Sequence, residues 1–333
     1  MKHLFTLFLT LSLNITFAQI SDFKSIDFSV ADNIAKLHEG YELDNLPLLA
    51  HNLTYKLTTD VERFRAIYTW VCTNIKGDSN QHKKVNSNRK KRLSDSLNFA
   101  KWNTEYKKIA FKKLLKHKKT MCTGYAYLIK ELCFLANIES VIVDGYGRTV
   151  DANIEILEMA NHSWNAVKLN NKWYLCDATW SSGYMDGNST FIKDYNDGYF
   201  LTDPKLFAKN HLPLDKKWLL NSNTTDLSFT TSPIVYGETF KHKVIPNSPK
   251  KLNVTTKKNN NVYFNLKTLN TTNNNVSLVY YIGANEKKLH INNLKTENNL
   301  ITFNHNFKTK GYHDVHIKID NDIVATYTIK VIN

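Results

Sequence analysis

Three residues of this chain have the types and the order needed for nucleophilic catalysis. Cys122 lies in Met121-Cys122-Thr123-Gly124-Tyr125-Ala126, His162 in Asn161-His162-Ser163-Trp164-Asn165, and Asp177 in Trp173-Tyr174-Leu175-Cys176-Asp177-Ala178-Thr179-Trp180. A thiolate attacks a carbonyl carbon, an imidazole moves the proton, and a carboxylate orients the imidazole. The bland alternatives are a core cysteine and a core histidine beside a structural aspartate. The sequence around each residue argues against them. The same three side chains could ligate zinc, but nothing else in the sequence favours a metal, and there is no acidic calcium loop.

A catalytic cysteine needs an element that lowers its pKa. Thr120 is the expected N-cap of a helix with Cys122 in its first turn. Tyr125, Leu128, Ile129, Leu132 and Ala136 form the buried stripe of that helix. The free N–H groups and partial positive charge of a helix start favour thiolate and can help hold an oxyanion. Cys133 lies about three turns on, ~16 Å away, too far to bridge to Cys122.

His162 and Asp177 need a shared surface. Residues 162–169 and 172–179 read as a hairpin with Asn170-Asn171 as its turn, because Asn tolerates positive φ. That register sets His162 opposite Thr179 and Trp164 opposite Asp177. His162 and Asp177 become diagonal neighbours within ~8 Å on one face. Cys176 points to the other face.

The flanking elements follow from periodicity. Residues 59–76 read as an amphipathic helix. Thr59 and Glu62 form its capping box, Phe64, Ile67, Tyr68, Val71 and Ile75 its buried face, and Gly77 its stop. Residues 78–104 read as a long polar, basic loop or insertion, and 105–118 as a second helix. Val141-Ile142-Val143 reads as a short buried strand. Asn221 to Pro233 reads as a polar linker. Beyond it the period changes to two, with strands at Val262–Leu266, Val276–Ile282, Leu300–Phe303, His313–Ile319 and Val324–Ile332. Those strands imply a small antiparallel β-sandwich, and Gly311-Tyr312 offers a weak tyrosine-corner signal.

The chain has 333 residues, which suggests about two domains, and its 42% hydrophobic content is that of a globular protein. Residues 1–18 read as a signal peptide. Lys2 precedes an apolar Leu4–Phe17 core, and Thr16-Phe17-Ala18 offers a cleavage site before Gln19. The expected location is therefore exported, periplasmic or secreted, with no transmembrane anchor. Four cysteines are too few for a disulfide scaffold, so Cys72, Cys133 and Cys176 read as buried thiols. The net charge of +14 is concentrated in His82-Lys83-Lys84, Arg89-Lys90-Lys91-Arg92 and Lys107–Lys119. Such clusters favour anionic partners, although a solvated face is the commoner meaning. No nucleic-acid-binding module is recognisable.

With these residues in hand, the stretch from Arg65 to Trp180 resembles the transglutaminase-like superfamily, whose core is papain-like. Cys122-Thr123-Gly124-Tyr125-Ala126, His162-Ser163-Trp164-Asn165 and Asp177-Ala178-Thr179-Trp180 are similar to its three catalytic motifs in order and spacing. The helix Ala66-Ile67-Tyr68-Thr69-Trp70-Val71 resembles the one that precedes the nucleophile. Tyr199-Phe200-Leu201-Thr202-Asp203-Pro204, with His211, Pro213, Asp215 and Trp218 after it, resembles the kyphoscoliosis-peptidase branch.

The resemblance implies Cys122 as nucleophile, His162 as general base and acid, and Asp177 as the residue orienting His162. It implies a thioester made from a peptide or glutaminyl amide, then hydrolysis by water or cross-linking by an amine. Members often use an upstream Trp or Gln near the oxyanion; Trp70 and Trp102 are the upstream tryptophans here. Some members are scaffolds that bind partners without turnover. The expected fold class is α+β, a helix carrying Cys122 packed on an antiparallel sheet carrying His162 and Asp177, followed by the sandwich. The expected division is 1–18 signal peptide, 19–220 transglutaminase-like domain, 221–240 linker and 241–333 Ig-like sandwich. The expected function is a cysteine peptidase or amidase with no cofactor. Its expected partner is a protein or peptide substrate, and its oligomeric state is left open.

Overall fold

The core grows around one helix that the sequence starts with a capping box. The computed structural model describes residues 19–150, 152, 156–269 and 275–333; the expected signal peptide, 1–18, lies outside them. Helices α1 (Ser29–Leu37) and α2 (Leu46–Thr54) pack on α3 (Asp60–Asn74). Thr59 Oγ1 accepts from the Glu62 N–H at 3.3 Å, and the Glu62 carboxylate accepts from the Thr59 N–H at 3.0 Å. Phe64, Ile67, Tyr68, Val71 and Ile75 are all fully buried, as their spacing requires. The helix stops at Asn74, three residues before the expected Gly77, because the chain turns extended at Ile75. Strand β1 (Lys76–Gly77) then runs parallel to β2 (Lys119–Thr120).

Between these two short strands the structure corrects the expected loop at 78–104. The chain forms α4 (Ser79–Lys91), and then α5 (Ser96–His117), which begins well before residue 105. Asp78 caps α4 by accepting from the Gln81 N–H at 3.0 Å; Asp95 caps α5 by accepting from the Asn98 N–H at 2.9 Å. Neither helix has an apolar stripe that would mark it in the sequence. Gln81 is the buried residue of α4, and α5 buries little beyond Phe99, Ala110 and Leu114. Polar contacts hold the pair instead. Lys113 and Asp78 form an ion pair at 2.8 Å, and the Arg89 guanidinium lies 5.5 Å from the Phe99 ring centre.

β2 leads into α6 (Cys122–Leu135), whose Tyr125, Leu128, Ile129 and Leu132 are buried. The helix packs on a sheet built from β3 (Ser140–Gly147), β4 (His162–Leu169) and β5 (Lys172–Cys176). Asn170 (φ 49) and Asn171 (φ 61) both turn left-handed, and the register Asn165–Cys176 to Leu169–Lys172 is the expected one. The hairpin is shorter than expected. β5 ends at Cys176, and Asp177 leaves the sheet to cap α7 (Ala178–Ser182), so neither Thr179 nor Asp177 has a strand partner. A small ribbon follows, β6 (Gly183–Met185) with β7 (Phe191–Lys193). After the short helix α8 (Pro204–Phe207), β8 (His211–Pro213) returns to pair with β3, giving the sheet order β5-β4-β3-β8.

The expected polar linker is built into the fold. Helix α9 (Asp226–Thr231) buries Phe229 against Ala208, Leu212 and Leu219, and β9 (Ile234–Val235) joins the C-terminal strands. These strands are β10 (Val244–Ser248), β11 (Asn253–Lys257), β12 (Asn261–Thr268), β13 (Val276–Ile282), β14 (Asn285–Leu289), β15 (Asn292–Glu297), β16 (Leu300–Asn306), β17 (Gly311–Ile319) and β18 (Asp322–Ile332). They form two sheets, β10-β12-β16-β15 and β11-β18-β17-β13-β14, with β9 on β18. Phe264, Leu266, Leu278, Phe303, Ile317 and Tyr327 fill the space between them. The sheets are antiparallel except for β11, which runs parallel to β18. Tyr312 is 71% exposed, so the tyrosine-corner signal was false. Val235 and Ile245 pack with Val143, Trp164 and Phe207, which docks the sandwich on the core sheet. Among the described residues, no helix is long and apolar enough to cross a membrane.

Candidate active site

Cys122 is the first residue of α6, and Met121, not Thr120, is its extended N-cap (φ -113, ψ -177). The Gly124 and Tyr125 N–H groups both close onto the Met121 carbonyl, at 2.9 and 3.1 Å. The Cys122 and Thr123 N–H groups therefore belong to the unsatisfied start of the helix, beside the thiol. Thr120 is buried directly behind this turn. A Cβ added at Gly124 would sit 1.9 Å from Thr120 Oγ1, so glycine is required for the turn to seat. Gly124→Ala should lower stability by about 1–3 kcal/mol through overpacking and displace Cys122. Denaturant unfolding together with the Cys122 alkylation rate would show both effects, and an unchanged pair would remove this role from Gly124.

All four cysteines are free thiols, and only Cys122 is partly exposed. Burial pushes the Cys72, Cys133 and Cys176 thiols up, so they stay protonated and inert. Burial also acts to raise Cys122. Hydrogen bonding and charge from His162, helped by the Ser163 N–H, outweigh it, and the Cys122 pKa falls below the ordinary thiol value.

His162 opens β4 and is buried, its ring stacked on Trp180 at 4.5 Å. Its Nε2 lies 2.7 Å from Asp177 Oδ2, which leaves Nδ1 for the thiol. Burial acts to lower the His162 pKa, but the Asp177 charge and hydrogen bond, with a contribution from Cys122, push it up to about 10. Asp177 is fully buried. Burial acts to raise its carboxyl, yet His162 and then His211 hold it well below the usual carboxylate range. Its Oδ1 accepts from the Thr179 and Trp180 N–H groups at 2.8 and 3.3 Å. One carboxylate thus caps α7 and orients the imidazole. The structure brings together all three residues expected from sequence.

One residue of the cluster had no role in the sequence reading. His211, on β8, donates from Nε2 to Asp177 Oδ2 at 3.1 Å. Its Nδ1 lies 2.7 Å from the Asn210 side chain. Burial pushes the His211 pKa down to about 4, against the pull of Asp177. The signal was the His211-x-Pro213 spacing, which was visible without any indication of its target. The ligand-type atoms of His162, Asp177 and His211 lie within 4.8 Å of one another, a donor set that could hold a metal. Here these atoms bond to one another.

The upstream tryptophans do not reach this site as oxyanion donors. Trp70 is fully buried and donates to the His38 carbonyl at 2.7 Å. Trp102 stacks on Tyr106, 5.0 Å away on α5. The upstream glutamine Gln81 is buried one turn after β1, and its Oε1 has no partner. A cleft of about 760 Å³ opens beside Met121 and Trp180, the neighbours of the thiol and the imidazole.

Comparison with known proteins places the core in a family. The Transglutaminase-like superfamily model matches residues 48–178. The chain is 32% identical over 206 residues to kyphoscoliosis peptidase of Homo sapiens, covering 60% of this chain and 27% of that protein. It is 34% identical over 177 residues to the Mus musculus counterpart, covering 52% and 24%. It is 24% identical over 232 residues to Hillarin of Drosophila melanogaster, covering 65% and 26%. The chain thus spans about a quarter of the length of these relatives. The core that carries Cys122, His162 and Asp177 belongs to the transglutaminase-like superfamily, in its kyphoscoliosis-peptidase branch.

Proposed function

We propose that this protein is an exported cysteine acyl-transfer enzyme acting on peptide or glutaminyl amides, with hydrolysis favoured over cross-linking. The observation that carries the reading is the partly exposed Cys122 at a helix start. Its pKa is lowered by His162, which is itself held 2.7 Å from Asp177. Thiolate and imidazolium are the resting pair such chemistry needs.

Cys122 Sγ attacks the amide carbon, and the Cys122 and Thr123 N–H groups stabilise the oxyanion. The carbon–nitrogen bond breaks as His162 gives its Nδ1 proton to the leaving nitrogen. A thioester remains. His162 then takes a proton from water, the new oxygen–carbon bond displaces the sulfur, and the imidazolium–thiolate pair is restored. An amine in place of water would give cross-linking, but water is in great excess outside the cell. Export rests on the charged-apolar-small pattern of residues 1–18. The N-terminal mass of protein recovered outside the cytoplasm tests it, with Gln19 as the expected first residue.

Iodoacetamide labelling of the native protein across pH, mapped by mass spectrometry, tests the catalytic reading. Cys122 alone should label fast at pH 6–7, and His162→Ala should slow it by about tenfold or more, since only the thiolate reacts. Labelling at the rate of an ordinary thiol, unchanged by His162→Ala, would replace the enzyme with a partner-binding scaffold.

A further inference from the structure

The basic run at 82–92, expected as a loop, is a helix that presents one face to the cleft. His82, Asn86, Arg89 and Lys90 recur at i, i+4, i+7 and i+8, and all four line the cavity that Met121 and Trp180 also line. Arg89 and Asn86 are the partly buried members, and Lys90 is exposed. Arg89 Nη1 donates to Asn86 Oδ1 at 2.7 Å and the guanidinium plane lies over Phe99, so the Arg89 side chain is held in place. Its Nε is buried without a partner. The buried Arg65 is paired with Asp32 at 2.7 Å and also with Asp197. Among the described residues no carboxylate forms an ion pair with Arg89. Arg89 is close enough to Cys122 for their charges to interact, and burial lowers its pKa.

A desolvated, immobilised guanidinium without a counterion is unfavourable unless something else supplies the anion. Glu158, Asp194 and Glu238 also line the cleft, so the basic face of α4 gives it an uneven charge. A bound anion is steered to the α4 side. A guanidinium offers paired donors that fit a carboxylate.

We infer that the Arg89 face of α4 is a carboxylate subsite, so that the cleft selects peptides carrying a carboxylate beside the amide to be attacked. The carboxylate is an acidic side chain or a free C-terminus, two sources with one chemistry. This deepens the proposed function and rests on it only for the placement of the attacked amide; binding is independent of turnover.

The test uses fluorescently labelled peptides and the Cys122→Ala protein, read by anisotropy. One arm compares Glu or Asp in the peptide with Gln or Asn, with the C-terminus amidated. The other compares a free C-terminus with an amidated one on a neutral peptide. In one of the two arms the carboxylate form should bind about tenfold more tightly, and Arg89→Gln should remove that difference. Arg89→Lys, which keeps the charge but loses the fork, should retain part of it, which guards against a folding defect in the glutamine variant. Equal affinity in both arms, no binding in either, or a preference that survives Arg89→Gln would overturn the subsite. Alkylation of Cys122 separates this from the catalytic reading. A reactive thiol without a carboxylate preference removes the subsite alone. An Arg89-dependent preference with an ordinary thiol removes catalysis alone.

Discussion

Asp177→Asn should lower turnover by on the order of 10²–10⁴-fold while the protein still folds. Asp177 Oδ2 faces two imidazoles, His162 at 2.7 Å and His211 at 3.1 Å, and Oδ1 accepts two backbone N–H groups of α7. An asparagine fills the same volume and can keep the cap, because its carbonyl oxygen can still accept from Thr179 and Trp180. Its amide then donates where both imidazoles also donate, which turns His162 away from the tautomer that presents Nδ1 to the thiol. The charge that raises the His162 pKa to about 10 is lost as well. The imidazolium–thiolate pair reverts to neutral imidazole and thiol near pH 7. The alkylation profile of Cys122 should shift to higher pH, and turnover should fall with it, while the unfolding midpoint moves far less than for Asp177→Ala. A variant that keeps the wild-type alkylation profile would show that Asp177 is a structural cap and not an orienting group.

What could be read from the residues alone was whatever depends on local pattern. Thr59 and Glu62 announced a helix start because a capping box is a four-residue event. The stripe from Tyr125 to Leu132 placed α6, and Asn170-Asn171 placed the hairpin register from Asn165–Cys176 to Leu169–Lys172, whereas Asp177 reaches His162 from the cap of α7, just past the end of β5. The five sandwich strands that alternate were legible; β10, β11, β14 and β15 were not, and in β14 (Asn-Glu-Lys-Lys-Leu) and β15 the residues are mostly exposed on both faces. Helix α4 was hidden for a related reason. A helix that buries little has no apolar period, and its caps and polar contacts do not register as a stripe. His211 was hidden by distance along the chain. It reaches Asp177 because β8 pairs with β3, a contact that no local spacing encodes. The residues proposed to react lie on α6, on the hairpin and just past its end. The residues that tune it come from long-range returns of the chain.

His211→Ala should be the more damaging change to the fold, at about 3–5 kcal/mol. The ring is buried among aromatics, 3.8 Å from Phe207, 4.4 Å from Trp180 and 5.0 Å from Trp164 between centres, so truncation opens a cavity behind Asp177. His211→Gln should cost less and isolates the electrostatics. The buried imidazole has its pKa pushed down to about 4, below the ordinary histidine value, so the native state prefers it neutral. Its contribution is fully present above pH 6.5 and is lost as pH falls from there through 4. His162 acts in the opposite direction. With its pKa raised to about 10, its contribution is full below pH 6.5 and is lost as pH rises through 10. The two histidines around one carboxylate therefore give a stability maximum near pH 6.5, with limbs of different origin. Urea unfolding from pH 4 to 10 should show this maximum. His211→Gln should flatten the acid limb between 6.5 and 4 and leave the alkaline limb, while His162→Gln should do the reverse. An acid limb unchanged by His211→Gln would mean that other groups govern acid unfolding, and would reduce His211 to a packing residue behind the triad.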